Sequence, residues 1–186
     1  MNPIKTERLT LKRAALEHKL RLIRLIGDLR VASMLSNVPH PYTDKDADYW
    51  LGKIENEELN LNIFLYDVLI GGVGLSVRGD DYCELGYWLG FEYWGFGYAT
   101  EACKGLLEFA KISTSFNRVN ANVYKRNFGS SKVLQKLGFE QVGEGEVFSL
   151  SRQQNMGCLH YEYLLAGLGL WVPRLKKKIL PELKIK

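Results

Sequence analysis

The sequence predicts a mixed α/β fold, a single mixed sheet with helices on its faces. Three observations carry this. Apolar stripes with a period of 3.6 occur near both ends of the chain. Between them lies a meander of apolar strands punctuated by Asp67-Val68 and Gly79-Asp80-Asp81. The last strand of that meander runs through a glycine-containing turn straight into a long helical pattern, from Glu84 to Ala102.

Taken in order, Leu9-Thr10-Leu11 alternates as a short strand and leads into a helix with a stripe at Leu16, Leu20, Ile23 and Ile26. Residues 31–35 form a further short helix, ended by Val38-Pro39-His40-Pro41, whose prolines cannot continue it. Thr43 with Asp46 is a capping-box variant that opens a helix with Ala47, Trp50, Leu51 and Ile54 on one face. Residues 61–66 and 69–77 are strands joined by a turn at Asp67-Val68, and residues 82–89 are the third strand. The next helix places Ala99, Ala102, Cys103, Leu106 and Ala110 together. Residues 118–124 form a strand with Val119, Ala121 and Val123 facing one way. A helix over 130–137 follows and ends at Gly138, a left-handed C-cap position. Residues 139–142 and 158–165 close the sheet. The predicted order is β–α–α–β–β–β–α–β–α–β–β.

Composition bounds the function. A chain of 186 residues is expected to form one domain, here 1–170, followed by a tail at 171–186. Its charged fraction of 25% and apolar fraction of 46% are those of a globular protein rather than a disordered or fibrous one. The net charge of +4 is misleading until it is located. Residues 171–186 carry six basic side chains against Glu182, a local +5 that leaves the rest of the chain at −1. The body therefore offers no basic surface for DNA. The tail mixes Trp171 and Leu175 with its lysines, and either packs back on the body or lies on an anionic surface. The apolar run at 68–75 is too short to span a bilayer, and the first eight residues hold no apolar signal core. Three cysteines, Cys83, Cys103 and Cys158, show no paired spacing for a disulfide framework or a zinc site. The expectation is a cytoplasmic protein, neither exported nor integral to a membrane, that holds no metal.

The chemistry concentrates in the strand–turn–helix stretch. Gly95 and Gly97 permit a tight turn with uncovered N–H groups, and the helix start behind them adds unsatisfied donors. Such a turn is either a phosphate-type anion site or an ordinary steric solution. A P-loop is absent. A dinucleotide fingerprint fails, because position 100 is threonine and residues 118–122 offer no carboxylate.

Trp94-Gly95-Phe96-Gly97-Tyr98-Ala99 resembles the Q/R-x-x-G-x-G/A acyl-CoA motif of the GNAT N-acetyltransferase superfamily, and its continuation through Thr100-Glu101-Ala102 resembles the RimJ/RimL-type branch. Three further stretches match that branch in order. They are Thr6-Glu7-Arg8-Leu9-Thr10-Leu11, the run from Pro41-Tyr42-Thr43 through Asp46-Ala47 to Trp50, and the run from Asn127 through Ser130 and Val133-Leu134 to Leu137-Gly138-Phe139. The resemblance spans about residues 4 to 165. One departure is Trp94 where the general motif has Gln or Arg.

The resemblance implies a mostly antiparallel mixed sheet with splayed central strands, helices on both faces, and acetyl-CoA as cosubstrate in the cleft between the parted strands. The loop from Trp94 and Gly95 through Phe96, Gly97, Tyr98 and Ala99 to Thr100 would hold the diphosphate. Main-chain groups of Tyr87, Trp88 and Leu89 would pair with the pantetheine arm, and Asn127 would bond it from the opposite wall. Lys132, with Arg126 and Lys136, would neutralise phosphates unless these are simply solvated. Glu84 is the first candidate for the general base, with Glu144 and Glu146 as alternatives in a following loop. Ser130 matches a serine that protonates the departing thiolate, or else it is the N-cap of its helix. Tyr124 is a second acid or a core aromatic. A covalent route through Cys158, with His160 on the same side of a strand, lacks any group to orient the imidazole.

The implied reaction is direct acetyl transfer within a ternary complex. An α-amine with a pKa of about 7.7–8.0 needs less help than a lysine near 10.4, so a protein or peptide N-terminus is the expected acceptor. A small amine is the alternative, and a non-catalytic acyl-CoA-binding protein is the reading outside enzymology. A homodimer is open.

Overall fold

The chain in this computed structural model is described for residues 2–54 and 59–165; the basic segment at 171–186 lies outside the described residues. The sheet grows from the meander. β1 (Ile4–Lys5), β2 (Leu9–Lys12), β3 (Asn60–Leu65), β4 (Val68–Val77) and β5 (Tyr82–Leu89) are antiparallel neighbours. β6 (Arg118–Tyr124) then adds parallel to β5. The hairpin of β7 (Glu140–Ser149) and β8 (Gln154–Leu164) closes the order β1-β2-β3-β4-β5-β6-β8-β7. The parallel step needs a crossover, which α4 (Tyr98–Ser113) supplies.

Helices cover both faces because the strands bury side chains on alternate sides. Leu85 and Leu89 of β5 join a core with Ala102, Cys103, Leu106, Leu107 and Ala110 of α4 and with Leu134 of α5 (Phe128–Lys136). Trp88 of the same strand packs against a second core. That core is built by α1 (Lys19–Ile26), α2 (Leu29–Ala32) and α3 (Asp44–Ile54) over Phe64 and Leu69. Local signals place the ends. The Thr43 amide donates to Asp46 at 2.7 Å, as a capping box requires. Asp28 caps α2, and the bonded Arg30 guanidinium holds its carboxyl down at about 2. Gly138 ends α5 with φ +88°.

Several expectations are corrected. A Leu16–His18 turn precedes α1, and the buried face is Leu22, Leu25 and Ile26, while Leu16 and Leu20 are exposed. A leucine-rich segment satisfies the helical period on more than one face, and the sheet selects one. The turn between β3 and β4 is Tyr66-Asp67, both with positive φ, not Asp67-Val68. The final hairpin is far longer than residues 139–142 and 158–165 suggested. β7 is Gly- and Glu-rich and largely exposed, so pairing holds it rather than an apolar pattern. Glu144 and Glu146 therefore lie in a strand, not a loop. No helix among the described residues is long and apolar enough to cross a membrane.

Candidate active site

The loop after β5 is shaped by two glycines. Gly95 and Gly97 have φ +85° and +82°, a left-handed conformation that L side chains rarely adopt. Gly97 is the N-cap of α4 and supplies no side-chain cap. The first N–H groups of α4, at Tyr98, Ala99 and Thr100, thus have no intrahelical carbonyl to bond, and they lie at the positive end of the helix. Trp94 is tied to the strand end, its Nε1–H donating to the Leu89 carbonyl at 2.8 Å. This gives the indole a role at the position where the general motif has Gln or Arg.

A brace behind the loop was not foreseen. Glu101, in the first turn of α4, accepts from Thr6 Oγ1 at 2.6 Å, from the Arg8 amide at 2.7 Å and from Arg8 Nε at 2.7 Å. Arg8 also donates through Nη1 to the Phe96 carbonyl at 3.1 Å and lies over the Tyr98 ring at 4.6 Å. Burial pushes the Glu101 carboxyl up, but the bonds from Thr6 and Arg8 outweigh it and leave the pKa below the ordinary carboxylate value. The Thr6-Glu7-Arg8 stretch was visible in the sequence; its partner 93 residues away was not.

Beside this loop the two central strands part. β5 and β6 pair only from Tyr82, Cys83 and Glu84 to Arg118, Val119 and Asn120. Beyond Glu84, the β6-facing side of β5 has no ladder partner, and this stretch includes Tyr87, Trp88 and Leu89. A side chain spans the gap: the Tyr87 hydroxyl is 2.7 Å from Ser130 Oγ and 3.1 Å from the Ser130 carbonyl. Burial pushes the Tyr87 phenol well up, so it stays protonated. Asn127, not Ser130, is the N-cap of α5, its Oδ1 accepting from the Ser130 amide at 3.1 Å. That leaves the Asn127 amide NH₂ as a donor and the Ser130 hydroxyl available to Tyr87. Lys132, Arg126 and Lys136 are exposed around the same helix.

On the opposite face of the sheet, Glu84 anchors a polar row. Arg78 Nε donates to Glu84 Oε2 at 2.7 Å, and Asn122 Nδ2 donates to Oε1 at 3.2 Å. His160 Nδ1 lies 2.5 Å from Asn122 Oδ1. With the amide NH₂ committed to Glu84, that oxygen is an acceptor and His160 Nδ1 carries the proton. These residues, with Tyr82, Asn120 and Glu162, line a cavity of about 320 Å³. Asn120 Oδ1 and the Tyr124 hydroxyl, two more β6 side-chain atoms, are buried with no hydrogen-bond partner among the described residues. Tyr124 is 6% exposed yet belongs to neither apolar core. Glu144 is paired with Lys125, and Glu146 is exposed on the hairpin. Asn122 orients His160, which the sequence did not disclose. Burial nevertheless pushes the Cys158 thiol up, so the pair lacks an activated nucleophile.

A family model described as an acetyltransferase (GNAT) domain matches residues 8–140. The chain belongs to this family. This GNAT N-acetyltransferase is 30% identical over 153 residues to the uncharacterized N-acetyltransferase p20 of Bacillus licheniformis, covering 77% of this chain and 85% of that one. Among solved structures, it is similar in fold to RimL, a ribosomal L7/L12 α-N-protein acetyltransferase in complex with coenzyme A. The TM-score is 0.76 at 16% identity, over 88% of this chain and 98% of that one. It also resembles the ribosomal-protein-S5-alanine acetyltransferase of Vibrio fischeri, with a TM-score of 0.73 at 18% identity over 89% and 98% of the two chains. At these identities the likeness is one of fold. Among the described residues the sheet has eight strands, antiparallel except at the parting β5–β6 pair, and is the GNAT architecture the motifs implied.

Proposed function

We propose that this N-acetyltransferase, a single domain over residues 1–170, takes acetyl-CoA into the β5–β6 opening and passes the acetyl group directly to a protein or peptide N-terminal α-amine. The observation that carries the reading is the glycine-formed N-terminus of α4, which has no side-chain cap and follows directly from the strand that parts from β6. Its N–H groups suit a diphosphate, each such contact contributing roughly 0.3–2 kcal/mol. The unpaired edge of β5 at Tyr87–Leu89 suits the amides of an extended pantetheine arm. Asn127 Nδ2 faces the same duty from α5, and Lys132 stands near enough in sequence to meet a phosphate.

Bound acetyl-CoA supplies a thioester carbonyl that a neutral amine attacks, with the CoA thiol as leaving group. Glu84 takes the proton that the amine sheds, directly or through one water. Arg78 and Asn122 hold its two oxygens. The Ser130 hydroxyl donates to the departing sulfur. When the Tyr87 phenol donates to Ser130 Oγ rather than to the carbonyl, the serine's own hydrogen is free to point into the opening.

A carboxylate is a weak base and suits an amine that is already partly neutral near pH 7, which favours an α-amine over a lysine. The RimL and S5-alanine enzymes, whose names specify ribosomal-protein acceptors, support the same class. The cavity beside Glu84, small at about 320 Å³ and lined by Arg78, Asn122, His160 and Glu162, favours a second reading, a small-molecule amine. Thiol release from acetyl-CoA across a panel of N-terminal peptides, polyamines, amino acids and amino sugars separates the two. Turnover restricted to the small amines would overturn the protein-acceptor reading.

A further inference from the structure

Four glycines sit in the central strands β4 and β5, and three of them are demanded by the fold. A Cβ on Gly71 would lie 2.2 Å from the Trp88 carbonyl oxygen, one on Gly72 would lie 2.5 Å from Trp88 Nε1, and one on Gly74 would lie 1.8 Å from Asn60 Oδ1. Gly86 is different. A Cβ there would meet nothing within 4 Å, its φ is not in the left-handed region, and it is exposed in the middle of a central strand. Glycine in a strand interior weakens the strand, and it commonly marks a place where a ligand or another chain approaches the backbone closely. Nothing among the described residues accounts for its presence.

Its position says what approaches. Gly86 is on the same face as Glu84, two residues earlier, and as Trp88, two residues later. It is also the second residue past the point where β6 leaves β5. It therefore lies between the Glu84 carboxylate and the β5 edge at Tyr87–Leu89. On β6, Asn120 at the last paired position and Tyr124 beyond it share that face and carry two of the three buried side-chain polar atoms that have no partner among the described residues, the third being Trp50 Nε1.

We propose that Gly86 is the acceptor seat. The α-carbon and first side chain of the acceptor rest on its bare Cα, with the amine toward Glu84. Asn120, which lines the cavity beside Glu84, is the β6 side chain left to meet the acceptor's amide groups. The acceptor is thus a peptide whose α-amine enters over the face of the sheet, and Gly86 sets how much room its first residue has. This rests on the acetyl-transfer reading above.

The test compares Gly86→Ala and Gly86→Val with wild type. Because the space is open and valine favours strands, both variants should fold with an unchanged or raised Tm. Acetyl-CoA affinity, measured by calorimetry, should stay within about twofold. The value of kcat/KM on peptides should fall about tenfold for Ala and about a hundredfold or more for Val, the range in which one or more methylenes in a shaped site discriminate. The loss should be steepest for peptides with the bulkiest first residue. Wild-type kcat/KM for Gly86→Val on every amine would overturn the seat. So would a Tm drop of several degrees, which marks a structural glycine, or a matching loss of acetyl-CoA affinity, which marks a donor-side residue. If wild type acetylates only small amines, the peptide acceptor is refuted; the wild-type to Gly86→Val ratio on those amines still decides whether Gly86 is the seat. A wild-type protein that turns over nothing in the panel overturns both.

Discussion

Replacing Gly97 with valine separates the stability of the phosphate loop from its function. At φ +82° an L side chain costs roughly 1–2 kcal/mol, and a β-branched one sits at the upper end. The added Cβ itself would meet only Arg8 Nη2, at 3.6 Å, which is ordinary contact, so no clash adds to the strain. For a domain of this size about 1–2 kcal/mol lowers Tm by roughly 2–8 °C, and the protein stays folded. The effect on acetyl-CoA should be larger. Two or three N–H contacts to phosphate lost with the loop conformation, at roughly 0.3–2 kcal/mol each, sum to about 0.6–6 kcal/mol; the middle of that range, about 2–4 kcal/mol, is about 30- to 1,000-fold in Kd. Isothermal calorimetry with acetyl-CoA, beside thermal unfolding, reads both quantities. Gly97→Asn is the control, since asparagine tolerates the left-handed region and should recover most of the Tm. A Kd for Gly97→Val within threefold of wild type, in a protein with the predicted Tm, would falsify the assignment of this loop to the diphosphate.

Other outcomes follow from the same geometry. Glu84→Gln should leave acetyl-CoA affinity intact and lower kcat by about 10²–10⁴, most severely below neutral pH where the amine is more protonated; a wild-type pH–rate profile would remove Glu84 from the reaction. Tyr87→Phe should slow transfer several-fold, and because it acts through Ser130, the double variant with Ser130→Ala should be no slower than Ser130→Ala alone. Additive losses in that cycle would break the coupling. Glu101→Gln removes the charge that holds Thr6 and Arg8, at a cost of about 1–2 kcal/mol once the partial exposure of Arg8 is discounted. The folded-state pKa of Glu101 is depressed, so its contribution is fully present above the ordinary value of 4.5 and is lost as pH falls through the lower folded value. Denaturant unfolding should therefore show the gap between Glu101→Gln and wild type at pH 7 and its disappearance in acid; an equal gap at both would disprove the ionised brace.

Much of the frame was legible because it depends on local chemistry. The capping box at Thr43 and Asp46, the left-handed Gly138 and the paired glycines of the loop are each dictated by neighbours a few residues away. The alternating strand 118–124 and the stripe of α4 declare their buried faces by period alone. The face of α1 did not, because its leucines satisfy more than one stripe and only contact with the sheet chooses Leu22, Leu25 and Ile26. The long β7–β8 hairpin escaped notice because its first strand buries almost nothing, and pairing with β8 is a non-local event.

For the site the division is similar. By itself the sequence determined the family, through motifs each contiguous along the chain, and the glycine turn with its helix start; it offered Glu84 as the first candidate base. Only the tertiary structure decided the rest. It ties Glu101 to Arg8 across 93 residues, bridges the parting strands with Tyr87 and Ser130, and fastens Glu84 between Arg78 and the Asn122–His160 pair. It also separates Gly86, which has empty space above it, from three neighbouring glycines that have none. Contiguous residues fix backbone conformation, whereas a partner or an empty space exists only once distant segments have packed.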